Sequence, residues 1–380
     1  MPRRRALVPV ALLAALAVPG AALAHAILLR TEPSDRAVLA SPPAAVRLVF
    51  DDTVRVGRGN AAVRNGGGSV LRGRPYVAGD TLVLPVRRGL ADGDYSVRWS
   101  IVSNDGHPES GVLTFSVGLG RPPPVSVLEP VATGPTASTV LARSLFLAGV
   151  LVAVGLALFA LVAGFPDGDA AERLALLLCA SAVLAAVGAA DEAHRVGLET
   201  RAGTALGAGF LVAVVVATLG AAATMERRAL RPAAVAALCL APIPAVAGHA
   251  LDPGLSRVNV VADVLHVAAA AAWVGVLLGL LALRMPPTRR AVVLAAAAVA
   301  VLAATGIVRA AFELVAFSQL WTTSYGRVLL VKTALFVTAL ALGYLVRRSA
   351  TRRAAVELAL VSVIVLAVAV LVQLRPGRVP

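Results

Sequence analysis

Apolar and polar residues alternate from residue 25 to about 118, and no apolar run there is long enough to cross a bilayer. Tyr95, Val97, Trp99 and Ile101 fall at every second position and predict a strand with one buried face. Val112 and Val117 flank a second candidate strand around Thr114-Phe115-Ser116. Asn65-Gly66-Gly67-Gly68, Ala78-Gly79-Asp80 and Ala91-Asp92-Gly93-Asp94 carry turn chemistry between such runs. About seven short strands at this spacing predict a small all-β sandwich or Greek-key barrel, Ig-like or cupredoxin-like. Its expected bounds are residues 25–120.

The pattern then changes twice. Pro122-Pro123-Pro124 and its surroundings predict a linker over 121–137. From Ser138 the chain reads as long apolar runs, at roughly 138–164, 174–194, 203–224, 229–250, 259–283, 291–312, 327–346 and 355–374. Each is near the ~20 residues a bilayer-spanning helix needs, so residues 138–375 are expected to form an all-α polytopic membrane domain of about eight transmembrane helices. At the other end, Arg3, Arg4 and Arg5, the apolar run Ala6–Val18 and Ala22-Leu23-Ala24 predict a cleaved signal peptide over residues 1–24. Cleavage there makes His25 the first residue of the mature chain.

Composition agrees with a membrane protein. Of 380 residues 58% are hydrophobic and 15% charged, and mean hydropathy is +0.84. A soluble protein of that composition would expose too much apolar surface. The net charge of +14 comes mostly from arginines in short runs between the apolar segments. That is the positive-inside pattern rather than a nucleic-acid-binding face. With the β domain placed outside, Arg227, Arg228 and Arg231, then Arg284, Arg289 and Arg290, then Arg347, Arg348, Arg352 and Arg353 fall in cytoplasmic loops. The expected location is a bacterial cytoplasmic membrane, with the lipid bilayer as a partner and no nucleic acid. The two cysteines, Cys179 and Cys239, lie inside apolar spans and are too few for a disulfide framework.

Candidate chemistry rests on five histidines. At a mature N-terminus, the free amine and Nδ1 of His25 can chelate one metal together. Nitrogen donors with a carboxylate in a tetragonal arrangement suit Cu(II). Asp105 and His107, two apart in Asn104-Asp105-Gly106-His107-Pro108, point the same way on an extended backbone. The alternative is a simple Asp-Gly turn with His107 capping it. In the membrane half, Arg143, Asp191, Glu192, His194, His249, Asp263, His266, Arg309, Glu313 and Lys332 all fall toward the outer ends of their spans. Ionisable groups in lipid are costly and mark function. Asn259, Asp263, His266 and Trp273 share one helical stripe. Asp263 there holds the tautomer of His266 from one turn away, is a ligand itself, or is half of an Asp–His pair joining two helices. Lys332 reads as a snorkelling lysine or a counter-ion for Asp263 or Glu313. Cys179 and Cys239 read as small buried apolar residues, or as soft ligands on a Cu(I) path toward Met225 and Met285.

His25-Ala26-Ile27-Leu28-Leu29 through Pro33, Leu48-Val49-Phe50, and Ser103-Asn104-Asp105-Gly106-His107-Pro108 followed by Gly111 and Phe115-Ser116-Val117 resemble the CopC family of periplasmic copper-binding proteins. The resemblance implies Cu(II) ligation by His25, Asp105 and His107. Some members of that family also bind Cu(I) through a Met-rich loop, whereas the methionines here, Met1, Met225 and Met285, all lie outside the mature β domain. Gly248-His249-Ala250, Asp263-Val264-Leu265-His266 leading to Trp273-Val274-Gly275, and Thr323-Ser324-Tyr325-Gly326-Arg327 leading to Lys332 resemble the CopD family. That implies copper passage at or across the inner membrane, through a site of His249, Asp263, His266 and His194 supported by Trp273, Tyr325 and Lys332.

The functional expectation is extracytoplasmic Cu(II) binding coupled to copper import, with copper as Cu(I) or Cu(II) in the membrane domain and other copper-handling proteins as partners. Nothing resembles an ATP-binding loop or an enzyme's substrate-positioning motif. A membrane-anchored copper chaperone or assembly factor is the alternative. A redox enzyme, or haem ligation by His249 and His266, is a third reading.

Overall fold

The computed structural model describes residues 26–131, 135–248, 257–345 and 350–374, in two compact units. His25 and His249 lie outside the described residues.

The first unit is a β domain of nine strands in two sheets. One sheet is antiparallel, in the order β1 (Leu28–Glu32), β3 (Ala45–Phe50), β7 (Thr81–Pro85), β6 (Tyr76–Ala78). The other has the order β2 (Ala37–Leu39), β9 (Pro108–Val117), β8 (Gly93–Ser103), β4 (Val54–Val56), with β5 (Ala61–Arg64) also paired to β8 and β2 running parallel to β9. The alternation in the sequence is realised in β8: Tyr95, Val97, Trp99 and Ile101 are all buried. They meet Val46, Leu48, Phe50, Leu82 and Leu84 of the facing sheet in one core. Phe50 and Trp99 touch edge to face, with ring centroids 5.7 Å apart. Gly111 is required opposite Trp99, because a Cβ there would come within 2.6 Å of the indole ring. There are two more strands than the alternation suggests, because β2, β4 and β6 are three residues each, too short to show a period.

The stretch expected as a linker is laid along the β domain as far as Val131. The carbonyls of Pro124, Val125 and Val131 accept from Thr114, Asn65 and Ser110, and the Val127 N–H donates to Ser96.

The second unit is helical: α1 (Ala137–Ala163), α2 (Gly168–Val196), α3 (Arg201–Met225), α4 (Leu230–Leu238), α5 (Ile243–Ala247), α6 (Arg257–Leu281), α7 (Arg289–Glu313), α8 (Gln319–Thr322), α9 (Ser324–Leu345) and α10 (Ala350–Leu371). Among the described residues eight segments are long and apolar enough to cross a membrane. Glycines set the crossings, because apolar helices in lipid associate by close packing rather than by escaping water. A Cβ on Gly149 or Gly188 would collide with the α2 or α1 backbone, and one on Gly155 would lie 2.2 Å from the Ala271 carbonyl of α6. The fourth span is not one helix. It breaks after Leu238 into turns and restarts as α5, since Pro242 and Pro244 lack the N–H that a continuous helix needs.

Candidate metal centres

The β8–β9 hairpin closes through Asn104-Asp105-Gly106-His107. The Ser103 N–H donates to the His107 carbonyl at 3.0 Å, the Gly106 N–H donates to the Ser103 carbonyl at 2.9 Å, and Gly106 takes φ +87°. Asp105 Oδ1 belongs to the turn: it accepts from the His107 N–H at 3.1 Å and from the Ser103 hydroxyl. Asp105 Oδ2 faces His107 Nδ1 at 3.0 Å, with the carboxylate side chain fully buried and the imidazole 15% exposed. The turn reading of this motif holds: one carboxylate oxygen builds the turn and the other is paired with the imidazole.

The same end of the domain carries the start of the described chain. Ala26 is buried in the core, and the Ile27 N–H donates to Asp51 Oδ1 at 2.7 Å. The next residue, Asp52, accepts from the Asn104 side chain through Oδ2 at 3.4 Å. Two consecutive carboxylates at the end of β3 thus tie the N-terminal strand and the Asn104–His107 loop to one edge of the sandwich.

The Asp105–His107 pair suits copper on geometry. Metal bonds of about 2.0 Å at right angles in a tetragonal centre put neighbouring donors about 2.8 Å apart, and this oxygen and nitrogen lie 3.0 Å apart. Among the described residues no three His, Cys, Asp or Glu side chains form a ready metal cage, so a metal held here would need donors beyond this pair.

In the helical unit a polar cluster joins α6, α7 and α9. Arg309 donates to Asp263 Oδ1 at 2.7 Å through Nη1 and to Glu313 Oε1 at 2.9 Å through Nη2. His266 Nδ1 lies 2.9 Å from the Thr305 hydroxyl, and His266 Nε2 lies 3.5 Å from Lys332 Nζ. The Thr305 proton is committed to the Val301 carbonyl at 2.6 Å. Thr305 must therefore accept from His266, which fixes the Nδ1–H tautomer and turns the Nε2 lone pair toward Lys332. That is the tautomer a metal-binding Nε2 needs. The partner of His266 is accordingly Thr305, not Asp263. Asp263 goes to Arg309, because a guanidinium offers a carboxylate a charge-assisted bond that a neutral imidazole cannot match.

Other named residues lie outside this set of bonds. His194 is exposed in the last turn of α2. Tyr325 is buried at the start of α9. Trp273, one stripe position below His266, donates from Nε1 to Glu357 Oε2 of α10 at 3.0 Å, with both side chains buried. Cys179 is partly exposed and Cys239 exposed at the end of α4. Sequence reasoning passes over Thr305 and Glu357, since a threonine reads as neutral in an apolar span and one acid in α10 leaves the span apolar overall. A single glutamate within an otherwise uncharged stretch of span was the available signal.

Comparison with known proteins matches residues 28–118 to the CopC domain and residues 288–374 to Copper resistance protein D. The chain is 27% identical over 379 residues to the Copper transport protein CutJ of Bacillus subtilis (strain 168), covering 86% of this chain and 68% of that one. It is 32% identical over 98 residues to Protein YobA of Escherichia coli (strain K12), covering 25% of this chain and 79% of that one. The crystal structure of CopC from Methylosinus trichosporium OB3b covers 28% of this chain and 97% of its own, at 25% identity and a TM-score of 0.23. The two family matches and the match to CutJ place the chain in copper homeostasis, and its apolar helices make it a multi-pass membrane protein. The chain thus joins a CopC domain at residues 28–118 and a CopD domain at residues 288–374 in one polypeptide.

Proposed function

We propose that this protein captures Cu(II) on the outer side of a bacterial cytoplasmic membrane and moves copper inward through its helical unit. The observation that carries the reading is the Asp105–His107 pair, an oxygen and a nitrogen donor 3.0 Å apart beside the start of the N-terminal strand. After cleavage of residues 1–24, His25 adds its amine and Nδ1 to the two donors, giving Cu(II) a nitrogen-rich tetragonal set. The β domain lies outside because the arginine runs between the spans lie inside. The CopD-like domain extends over residues 138–375, and His266 is its receiving ligand. Copper is accepted at Nε2, where Lys332 Nζ now stands, and Thr305 keeps that lone pair available. His249 and His194 serve the mouth of this site, and Trp273 and Tyr325 support it.

One observation favours the alternative of a membrane-anchored copper chaperone or assembly factor. Arg309 bridges Asp263 and Glu313, and a charge-balanced cluster can serve as helix-joining structure alone. Whole-cell copper content, with and without the protein expressed, separates the two. Import predicts higher copper in expressing cells at equal external copper. Equal content leaves the anchored chaperone.

A further inference from the structure

Glu109 breaks a rule that the rest of its strand obeys. In the β8–β9 hairpin the directly opposed pairs Tyr95–Phe115, Val97–Leu113, Trp99–Gly111 and Ile101–Glu109 form one row, and residues two apart on a strand share a face. That face is the core: Tyr95, Val97, Trp99, Ile101, Leu113 and Phe115 are all buried in it. Alternation therefore calls for an apolar residue at 109. The chain places a glutamate there, 8% exposed, on an unbroken register.

The same row continues past the strand end. His107 is two residues before Glu109, and Ser103 and His107 close the hairpin opposite one another. Ser103, His107 and Glu109 thus follow one row, with the Asp105 turn closing it, at the end where Asp51 ties down Ile27. A carboxylate this buried in an apolar row is costly unless positive charge or hydrogen-bond donors lie close by.

We infer that Glu109 is a positioning and specificity residue of the copper site: its negative charge, close behind His107, favours the doubly charged Cu(II) over Cu(I). It rests on the proposed Cu(II) site. It acts through the field at the metal and through the donors it orients, outside the Asp105–His107 pair. Groups placed this way around a metal typically change affinity by about 10- to 100-fold when removed.

The test uses the full-length protein with its leader processed, in detergent, and three variants: Glu109→Gln, Glu109→Val and, as reference, His107→Ala. Cu(II) affinity is measured by chelator competition, the Cu(II)/Cu(I) midpoint potential by redox titration, and metal-free stability by thermal unfolding. For Glu109→Gln the expected result is Cu(II) binding about tenfold weaker, with Cu(I) affinity changed less and a midpoint potential moved positive. Glu109→Val should weaken Cu(II) binding as much while the metal-free protein unfolds at the same or a higher temperature, because an apolar residue suits that row. A residue that only supports the fold would instead lower the metal-free unfolding temperature and leave the potential where it was. Wild-type potential and affinity in Glu109→Gln overturn the inference alone, provided His107→Ala still loses the site. If the unmodified protein binds no Cu(II), or His107→Ala binds as tightly, the site itself fails and the role of Glu109 falls with it.

Discussion

His107 Nδ1 stands 3.0 Å from Asp105 Oδ2, while the other oxygen of that carboxylate holds the turn that carries them both. Removing either side chain takes a donor from the proposed copper site, but removing Asp105 also loosens the loop. His107→Ala should weaken Cu(II) binding by more than tenfold and lower the metal-free unfolding temperature less than Asp105→Ala does. Asp105→Ala should weaken binding and also lower the metal-free unfolding temperature. Protonation removes the lone pair of the His25 amine or of an imidazole, so affinity should begin to fall as pH is lowered through the amine range near ~8. It should fall about tenfold per pH unit, for each histidine ligand, below ~6.5. Chelator competition across pH measures both effects.

The mature chain is predicted to begin at His25, and its amine to be a ligand. Intact mass should show loss of residues 1–24, taking the formal charge from +14 to +11 as Arg3, Arg4 and Arg5 leave (14 − 3). One extra residue placed before His25 keeps every side chain yet moves the amine away. Cu(II) binding as tight in that extended protein as in the authentic one would rule the amine out.

The β domain was legible because apolar and polar residues alternate without exception from Tyr95 to Ile101, and a fixed period of two reports which face meets the apolar core. The loop chemistry was legible too, since Asp105 and His107 are neighbours in sequence. Legibility fails where partners are distant. The stripe Asn259–Asp263–His266–Trp273 tells which residues share a face of α6, but not that Thr305, 39 residues on, meets His266. Nor does it tell that Arg309 claims Asp263. Helix packing decides those pairs, and glycine contacts such as Gly155 on α6 set that packing. The break in the fourth span has a local cause in Pro242 and Pro244, which a count of apolar residues passes over.

Arg309 neutralises two buried acids at once. Arg309→Ala leaves Asp263 and Glu313 without that partner. Breaking a buried pair costs about 3–5 kcal/mol; with the guanidinium 21% exposed, about 2–3 kcal/mol is expected after screening. The variant should unfold in detergent at a clearly lower temperature than wild type, and Arg309→Lys should recover part of the loss. Wild-type stability in Arg309→Ala would mean that water already serves these carboxylates.

Thr305 tests the tautomer argument. Thr305→Val keeps the shape but offers His266 no acceptor, so Nε2 is no longer held as the lone-pair nitrogen. Copper uptake should drop about tenfold with normal membrane insertion, and Thr305→Ser should restore most of it. Equal uptake by the valine and serine variants would show that the His266 orientation does not depend on this bond.

The central claim is that copper passes from the β domain through His266. The direct measurement is copper accumulation in cells expressing His266→Ala, with the β domain untouched and with expression and insertion matched to wild type. The account predicts accumulation near the empty-vector level while Cu(II) binding by the purified variant's β domain is unchanged. Wild-type accumulation in His266→Ala would contradict it and leave the helical unit as an anchor.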